Sequence, residues 1–404
     1  MQIPELLAPA GNPERLRAAL RYGADAVYLG MRRMSLRNFA ENFSLDDLQE
    51  ACLLAHGMNR RIYVTVNAFA RDRQLRDLPA FLLDISSAGA DALIINDPGV
   101  LCIARETLPH MKLHLSTQAN TLNARAAAFW HAQGVSRIVL ARELTLDEVR
   151  FIRDECPPEL ELELFVHGAM CVSYSGRCLL SNYVNGRDSN RGECAQPCRW
   201  TYELRERGKD GEYFPIEQDA LGTYILNSRD LNLLRHLPEV IETGVRSLKI
   251  EGRMKSIYYV AGVVNAYRMA LDELKKGAEQ VPEEIAQELE KISHRPYTCG
   301  FAFDDPGIEG QATQSASYLQ THELAAVVLR YNAEAELALL EQRNRFCCGD
   351  ELFILSPGDI GRSFTVSRIQ TEAGEDISCA PHPQQHVWIE CPPVLPGDLL
   401  RKQI

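Results

Sequence analysis

Residues 5–30 read ELLAPAGNPERLRAALRYGADAVYLG. An apolar run, Glu5–Pro9, ends in a turn. Asn12 then stands where a helix cap belongs, and Pro13–Tyr22 carries apolar residues at helical spacing before Gly23 interrupts it. A second apolar run, Ala26–Gly30, follows at once. This is one β-α-β unit, whose strands pair in parallel while the helix covers a face.

Outward from this unit the pattern repeats. Strand-like runs recur at Ile62–Asn67, Ala92–Asn96, Lys112–Ser116, Arg137–Ala141, Glu161–Val166 and Ser247–Ile250, making eight. Helical stretches alternate with them at Leu45–His56, Arg76–Ala88, Gly99–Thr107, Asn123–Gln133 and Leu146–Cys156. Eight such units close most economically as an α/β (β/α)8 TIM-like barrel, with a doubly wound open sheet as the alternative. The barrel is expected over residues 1–300, a linker over 301–322, and a small antiparallel β-barrel domain over 323–404. Short β-rich runs punctuated by Gly349-Asp350, Ala373-Gly374 and Pro396-Gly397-Asp398 mark that last unit.

The seventh strand does not lead directly into a helix. Nearly eighty residues intervene before the eighth, a cysteine-rich insertion spanning about 167–244. Loops after the carboxyl ends of barrel strands build the active site, so the insertion should cap the mouth. It carries Cys171, Cys178, Cys194 and Cys198, four of the chain's 12 cysteines. The chain has no export-like N-terminus and no run of eighteen apolar residues, so a cytoplasmic location and no membrane contact are expected. Cysteines there are reduced, and four close ones suit a metal or cluster better than disulfides. Their spacing lacks the paired knuckles of a zinc ribbon, whereas an iron–sulfur cluster needs only four converging thiolates. The remaining cysteines read as packing residues.

Polar residues at strand ends supply the other candidates: Asn67, Gln118, Glu143, His167, Glu251 and Arg253. His167 suits a ligand, a proton donor or a partner of the metal ligands. Arg253 with Lys255, just after strand eight, reads as an anion site for phosphate or carboxylate. Arg187, Arg191 and Arg199, interleaved with Tyr174, Tyr183 and Trp200, suit RNA backbone and base stacking, or equally a solvated face. The net charge of -12 requires any nucleic-acid contact to be local. No HExxH, GxSxG or GxxxxGKS motif is present.

The string HGAMCVSYSGRCLLSNYVNGRDSNRGECAQPCRW, with PELLAPAG, DAVYLG, SLKIEGRMKSIYYV and SHRPYTCGF, resembles the bacterial collagenase-like peptidase family over the whole chain. The resemblance implies an oxygen-independent, prephenate-dependent hydroxylase that converts the wobble uridine of tRNA to 5-hydroxyuridine and carries a 4Fe-4S cluster. It places cluster cysteines at Cys171, Cys178 and Cys194. Other members hydroxylate a ribosomal RNA cytidine or act in ubiquinone synthesis, and a collagen-degrading branch gives the peptidase label. Many relatives take the fourth cysteine from a DLC motif, where this chain reads Asp230-Leu231-Asn232. Cys198, a non-cysteine ligand or an open iron are the alternatives. The expected partners are tRNA and the dicarboxylate prephenate, with the need for an electron-donor protein left open. A metal-dependent peptidase using Glu143 or Glu251 to activate water is the competing reading, and a non-enzymatic docking module is a third.

Overall fold

A computed structural model describes residues 2–35, 41–191, 193–200, 218–219, 222–223, 227–312 and 318–404. Eight parallel strands form its centre: β1 (Glu5–Pro9), β2 (Ala26–Gly30), β3 (Arg61–Val66), β4 (Ala92–Ile95), β5 (Lys112–Leu115), β6 (Arg137–Val139), β7 (Glu161–Ala169) and β8 (Ser247–Ile250). They pair in that order, and β8 pairs with both β1 (Leu6 opposite Leu248) and β7 (Leu248 opposite Leu164), closing the barrel. The open-sheet alternative is thereby set aside.

The opening stretch folds for local reasons. Asn12 accepts a bond from the Arg15 amide at 2.9 Å, Pro13 fixes the first turn of helix Pro13–Arg21, and Leu16, Ala18, Ala19 and Leu20 are buried beneath it. Gly23 has φ +104, and a Cβ there would lie 2.5 Å from the Arg268 side chain, so only glycine fits this return to β2. Every residue of β2 and β4 is buried, as expected of a parallel sheet covered on both faces.

Two elements differ from expectation. The helix expected over Arg76–Ala88 is Leu78–Ser87, with Pro79 in its first turn, and a separate short helix, Asp72–Leu75, precedes it. Strand β7 continues past Val166 through His167, Gly168 and Ala169. A short strand inside the insertion, Asp230–Asn232, returns antiparallel to this extension, with Asn232 opposite His167.

From His322 the chain forms an eight-stranded antiparallel sheet with its own core, including Phe346, Leu352, Ile354, Val387 and Leu400. This unit docks on the barrel. Leu355 and Leu399 join the barrel's apolar cluster, the Tyr22 hydroxyl donates to the Leu355 carbonyl at 2.7 Å, and buried Arg401 meets Glu288 at 2.6 Å. Cys347 and Cys379 face each other across paired strands and are disulfide-bonded. This corrects the reading of both as packing thiols: the register sets them directly opposite. Cys102 and Cys348 are exposed, whereas Cys52, Cys156 and Cys391 are buried. Among the described residues no helix is long and apolar enough to cross a membrane.

Candidate active site

The carboxyl ends of the barrel strands open into a cavity of about 590 Å³. Its wall brings together Asn67 after β3, Gln118 after β5, Arg142 after β6, Phe165 on β7, and Lys249, Glu251, Arg253 and Lys255 on and after β8. Cys171, Cys178, Cys194 and Cys198 line the same cavity from the insertion. Residues far apart in sequence thus share one enclosure at the end where barrels carry their chemistry.

The cysteine loop is pinned to the barrel by polar bonds. Asn120 donates to the Ser175 carbonyl at 3.1 Å and accepts from Arg177 at 3.0 Å. Ser189 and Asn190 donate to the Cys178 carbonyl at 2.7 and 2.9 Å, and the Ser181 hydroxyl accepts from the Ala195 amide at 3.0 Å. The Gln196 amide lies 3.4 Å from Cys194 Sγ, a donor that favours a thiolate there. None of the four cysteines is in a disulfide; Cys171 and Cys194 are exposed, and Cys178 and Cys198 are half-buried.

As a donor set for an iron–sulfur cluster, four thiols outside any disulfide on one cavity wall are chemically right. Among the described residues, however, no three His, Cys, Asp or Glu side chains lie close enough together to hold a metal ion. Asn232 does not line the cavity. Its Oδ1 accepts from the Leu234 amide at 3.0 Å, an Asx turn that ends the short strand. Of the two candidate positions for a fourth thiol, Cys198 faces the cavity and position 232 is tied to local backbone.

The expected anion pair divides. Arg253 is buried, and its two terminal nitrogens donate to Thr65 Oγ1 at 3.2 Å, Ser35 Oγ at 2.8 Å and Asn42 Oδ1 at 2.7 Å, so it ties the loop after β2 to strand β3. Lys255 is half-buried, with its ammonium 5.1 Å from the Tyr259 ring and 4.5 Å from Tyr318. Among the described residues no carboxylate lies within 4.0 Å of it, although its charge, after that of Arg295, helps hold the buried Asp230 carboxyl low. Glu251 lies 3.4 Å from Arg142, whose guanidinium stacks 4.0 Å over Phe165 and donates to the Ala169 carbonyl at 2.9 Å.

His167 does not line the cavity. It is buried against Tyr259, Tyr267 and Tyr297, and burial pushes its pKa down to about 3, so the ring is neutral. Glu143 is also absent from the wall, and burial raises its carboxyl pKa. Arg187 is half-buried and Trp200 is exposed, whereas the side chains of Arg191 and Arg199 lie outside the described residues, as do Arg205, Arg207 and Lys209. Sequence reasoning missed Arg142, Lys249 and the Tyr259–Tyr318 pair. Arg142 immediately precedes the chosen Glu143 and follows β6, so the strand-end rule pointed one residue too far.

Comparison with known proteins matches the peptidase family U32 model over residues 11–312 and the family's C-terminal domain model over residues 320–401. The chain is 38% identical over 403 residues to the tRNA hydroxylation protein P1 of Bacillus subtilis, covering 99% of this chain and 94% of that protein. It is 36% identical to the tRNA hydroxylation protein P of Escherichia coli over 429 residues, covering 96% and 94%. The 23S rRNA 5-hydroxycytidine C2501 synthase of Escherichia coli is 35% identical over 323 residues, covering 76% of this chain and 48% of that protein. With both of its domains matched and near full-length relatives above 30% identity, the chain belongs to peptidase family U32.

Proposed function

We propose that this protein is a tRNA hydroxylase that converts the wobble uridine to 5-hydroxyuridine without oxygen, using prephenate as co-substrate and a 4Fe-4S cluster. The observation that carries the reading is the single cavity lined both by all four insertion cysteines and by the strand-end polar residues. The relatives' names give the reaction class, since two are tRNA hydroxylation proteins and a third is a hydroxycytidine synthase.

Each part of the wall has a role in this reading. Cys171, Cys178 and Cys194, with Cys198 as the fourth, would hold the cluster, which supplies electron-transfer chemistry beside the base. Lys255, whose ammonium rests on two tyrosine rings, pairs with a carboxylate of prephenate. Arg253 holds the loop after β2 against strand β3 through Ser35, Asn42 and Thr65. The target nucleotide leaves the anticodon stack and enters the mouth, with the exposed Trp200 and Tyr174 available for neighbouring bases. Glu251, beside Arg142, is the carboxylate on the wall able to move a proton. The peptidase reading is weaker, because Glu143 lies off the wall.

The test is anaerobic purification followed by iron and sulfide analysis of wild type, Cys198→Ala and Asn232→Cys, and incubation with tRNA and prephenate. Iron and sulfide in wild type, lost in Cys198→Ala, together with hydroxylated uridine, supports the reading. A zinc-loaded protein that leaves tRNA unchanged refutes it.

A further inference from the structure

Two amides on the cavity wall have atoms for which the protein supplies no partner. Asn67, at the carboxyl end of β3, is 9% exposed, and Gln118, in the turn after β5, is 3% exposed. Among the described residues, Asn67 Oδ1 and Gln118 Nε2 are buried without a hydrogen bond. The Gln118 amide is oriented by its other end, where Oε1 accepts from the Ser116 hydroxyl at 3.3 Å. Both residues line the cavity, and their unmet atoms are an acceptor on Asn67 and a donor on Gln118. Buried polar groups are nearly always paired, so such a set marks a position where a ligand completes the bonding.

The cysteine loop closes over the same place. Gly176, between Cys171 and Cys178, has φ +74, and a Cβ built there would lie 3.2 Å from Gln118 Cβ and 3.3 Å from Nε2. Glycine both permits that backbone and leaves the amide room. The cysteine loop and the amide therefore meet at one point of the wall.

We propose that Asn67 and Gln118 read the imide edge of a pyrimidine base, which makes them specificity-determining residues. This rests on the RNA hydroxylase reading and deepens it. Uracil presents an N3–H donor between two carbonyl acceptors. Asn67 Oδ1 accepts from N3–H, and Gln118 Nε2 donates to the C4 carbonyl. Cytosine presents a bare N3 and an amino donor, so both contacts become mismatched. The C5 atom is not part of the imide edge, so this grip leaves it free. Side chains that demand a hydrogen bond reject the base that cannot make it more strongly than apolar walls do.

The experiment uses the full-length protein and three anticodon stem-loop RNAs that differ only at the wobble base: uridine, cytidine or N3-methyluridine. Affinity is measured by fluorescence anisotropy and hydroxylation, in parallel, by nucleoside mass spectrometry. Wild type is expected to bind the uridine RNA at least about tenfold tighter than either other RNA, the cost of one or two lost polar contacts. Asn67→Ala should lose about tenfold on uridine RNA, and Gln118→Glu should narrow the gap to cytidine because a carboxylate accepts from its amino group. Equal affinity for uridine and N3-methyluridine RNA overturns the proposal with no variant needed. Retained discrimination without any hydroxylation upholds the base reading while refuting the hydroxylase reading.

Discussion

The two ends of the barrel are built on opposite principles. At the amino-terminal end a cavity of about 640 Å³ is lined by Glu5, Asp25, Arg60, Arg61, Asp91, Arg137, Glu161 and Arg268, and most of these charges are matched. Arg137 contacts Glu5 at 2.6 Å, Glu161 at 2.6 Å and Glu163 at 3.2 Å, while Lys249 reaches Glu163 at 2.8 Å. Burial alone would raise the Glu163 carboxyl, but Lys249 and Arg137 more than offset it and hold it below the usual range. At the carboxyl-terminal end stand thiols outside any disulfide, a lysine ammonium with no ion pair within 4.0 Å among the described residues, and two amides with unpartnered atoms. Paired charges stabilise. Unsatisfied groups at the mouth are open to a ligand, and that difference separates the two ends of the barrel.

The comparison breaks most visibly at Arg137. Replacing it with alanine leaves Glu163 buried without one of its cations, and a loss of about 3–5 kcal/mol is expected. Urea unfolding measures this, and activity per folded molecule should stay near wild type. A loss below 1 kcal/mol would mean that the lower network is not structural.

Acid acts on a different buried group. Below pH 6.5 the unfolded chain protonates His167, which the folded protein keeps neutral down to about 3. Its contribution to stability is therefore complete above pH 6.5 and falls away as pH drops through that window, by on the order of a few kcal/mol at pH 4. His167→Phe should flatten the acid limb of a stability-versus-pH curve. An unchanged slope would show that His167 is not the neutral, enclosed ring described above.

Much of this was legible in the chain. Strands β2 and β8 fall on the expected residues because fully buried parallel strands leave unmistakable apolar runs. The continuation of β7 was not legible. His167 and Gly168 look like a polar strand end, and their pairing with Asp230–Asn232 is set by tertiary contact across the insertion. Arg253 lines the mouth, but that its terminal nitrogens are committed to Ser35, Asn42 and Thr65 depends on partners 188 to 218 residues away in the chain. The cysteine spacing announced a site without revealing that Cys198 faces the cavity and Asn232 does not.

Smaller effects sharpen the account at the mouth. Lys255→Met should raise the KM for prephenate about tenfold, the scale of one charge-assisted bond, with urea stability within about 0.5 kcal/mol of wild type. An unchanged KM would place the dicarboxylate elsewhere. Trp200→Ala should weaken tRNA binding about fivefold, the low end of a base-stacking contribution, without altering the hydroxylation rate at saturating tRNA. Filter binding decides it, and unaltered affinity would mark the exposed indole as uninvolved.

The central claim is that chemistry occurs at the mouth, where the insertion thiols meet the strand-end residues. The most direct test is nucleoside mass spectrometry of bulk tRNA from a strain lacking this gene, complemented with wild type or Cys178→Ala. Derivatives of 5-hydroxyuridine should vanish on deletion, return with wild type and stay absent with Cys178→Ala. Their persistence in the deletion strain, or full restoration by Cys178→Ala, would contradict the account.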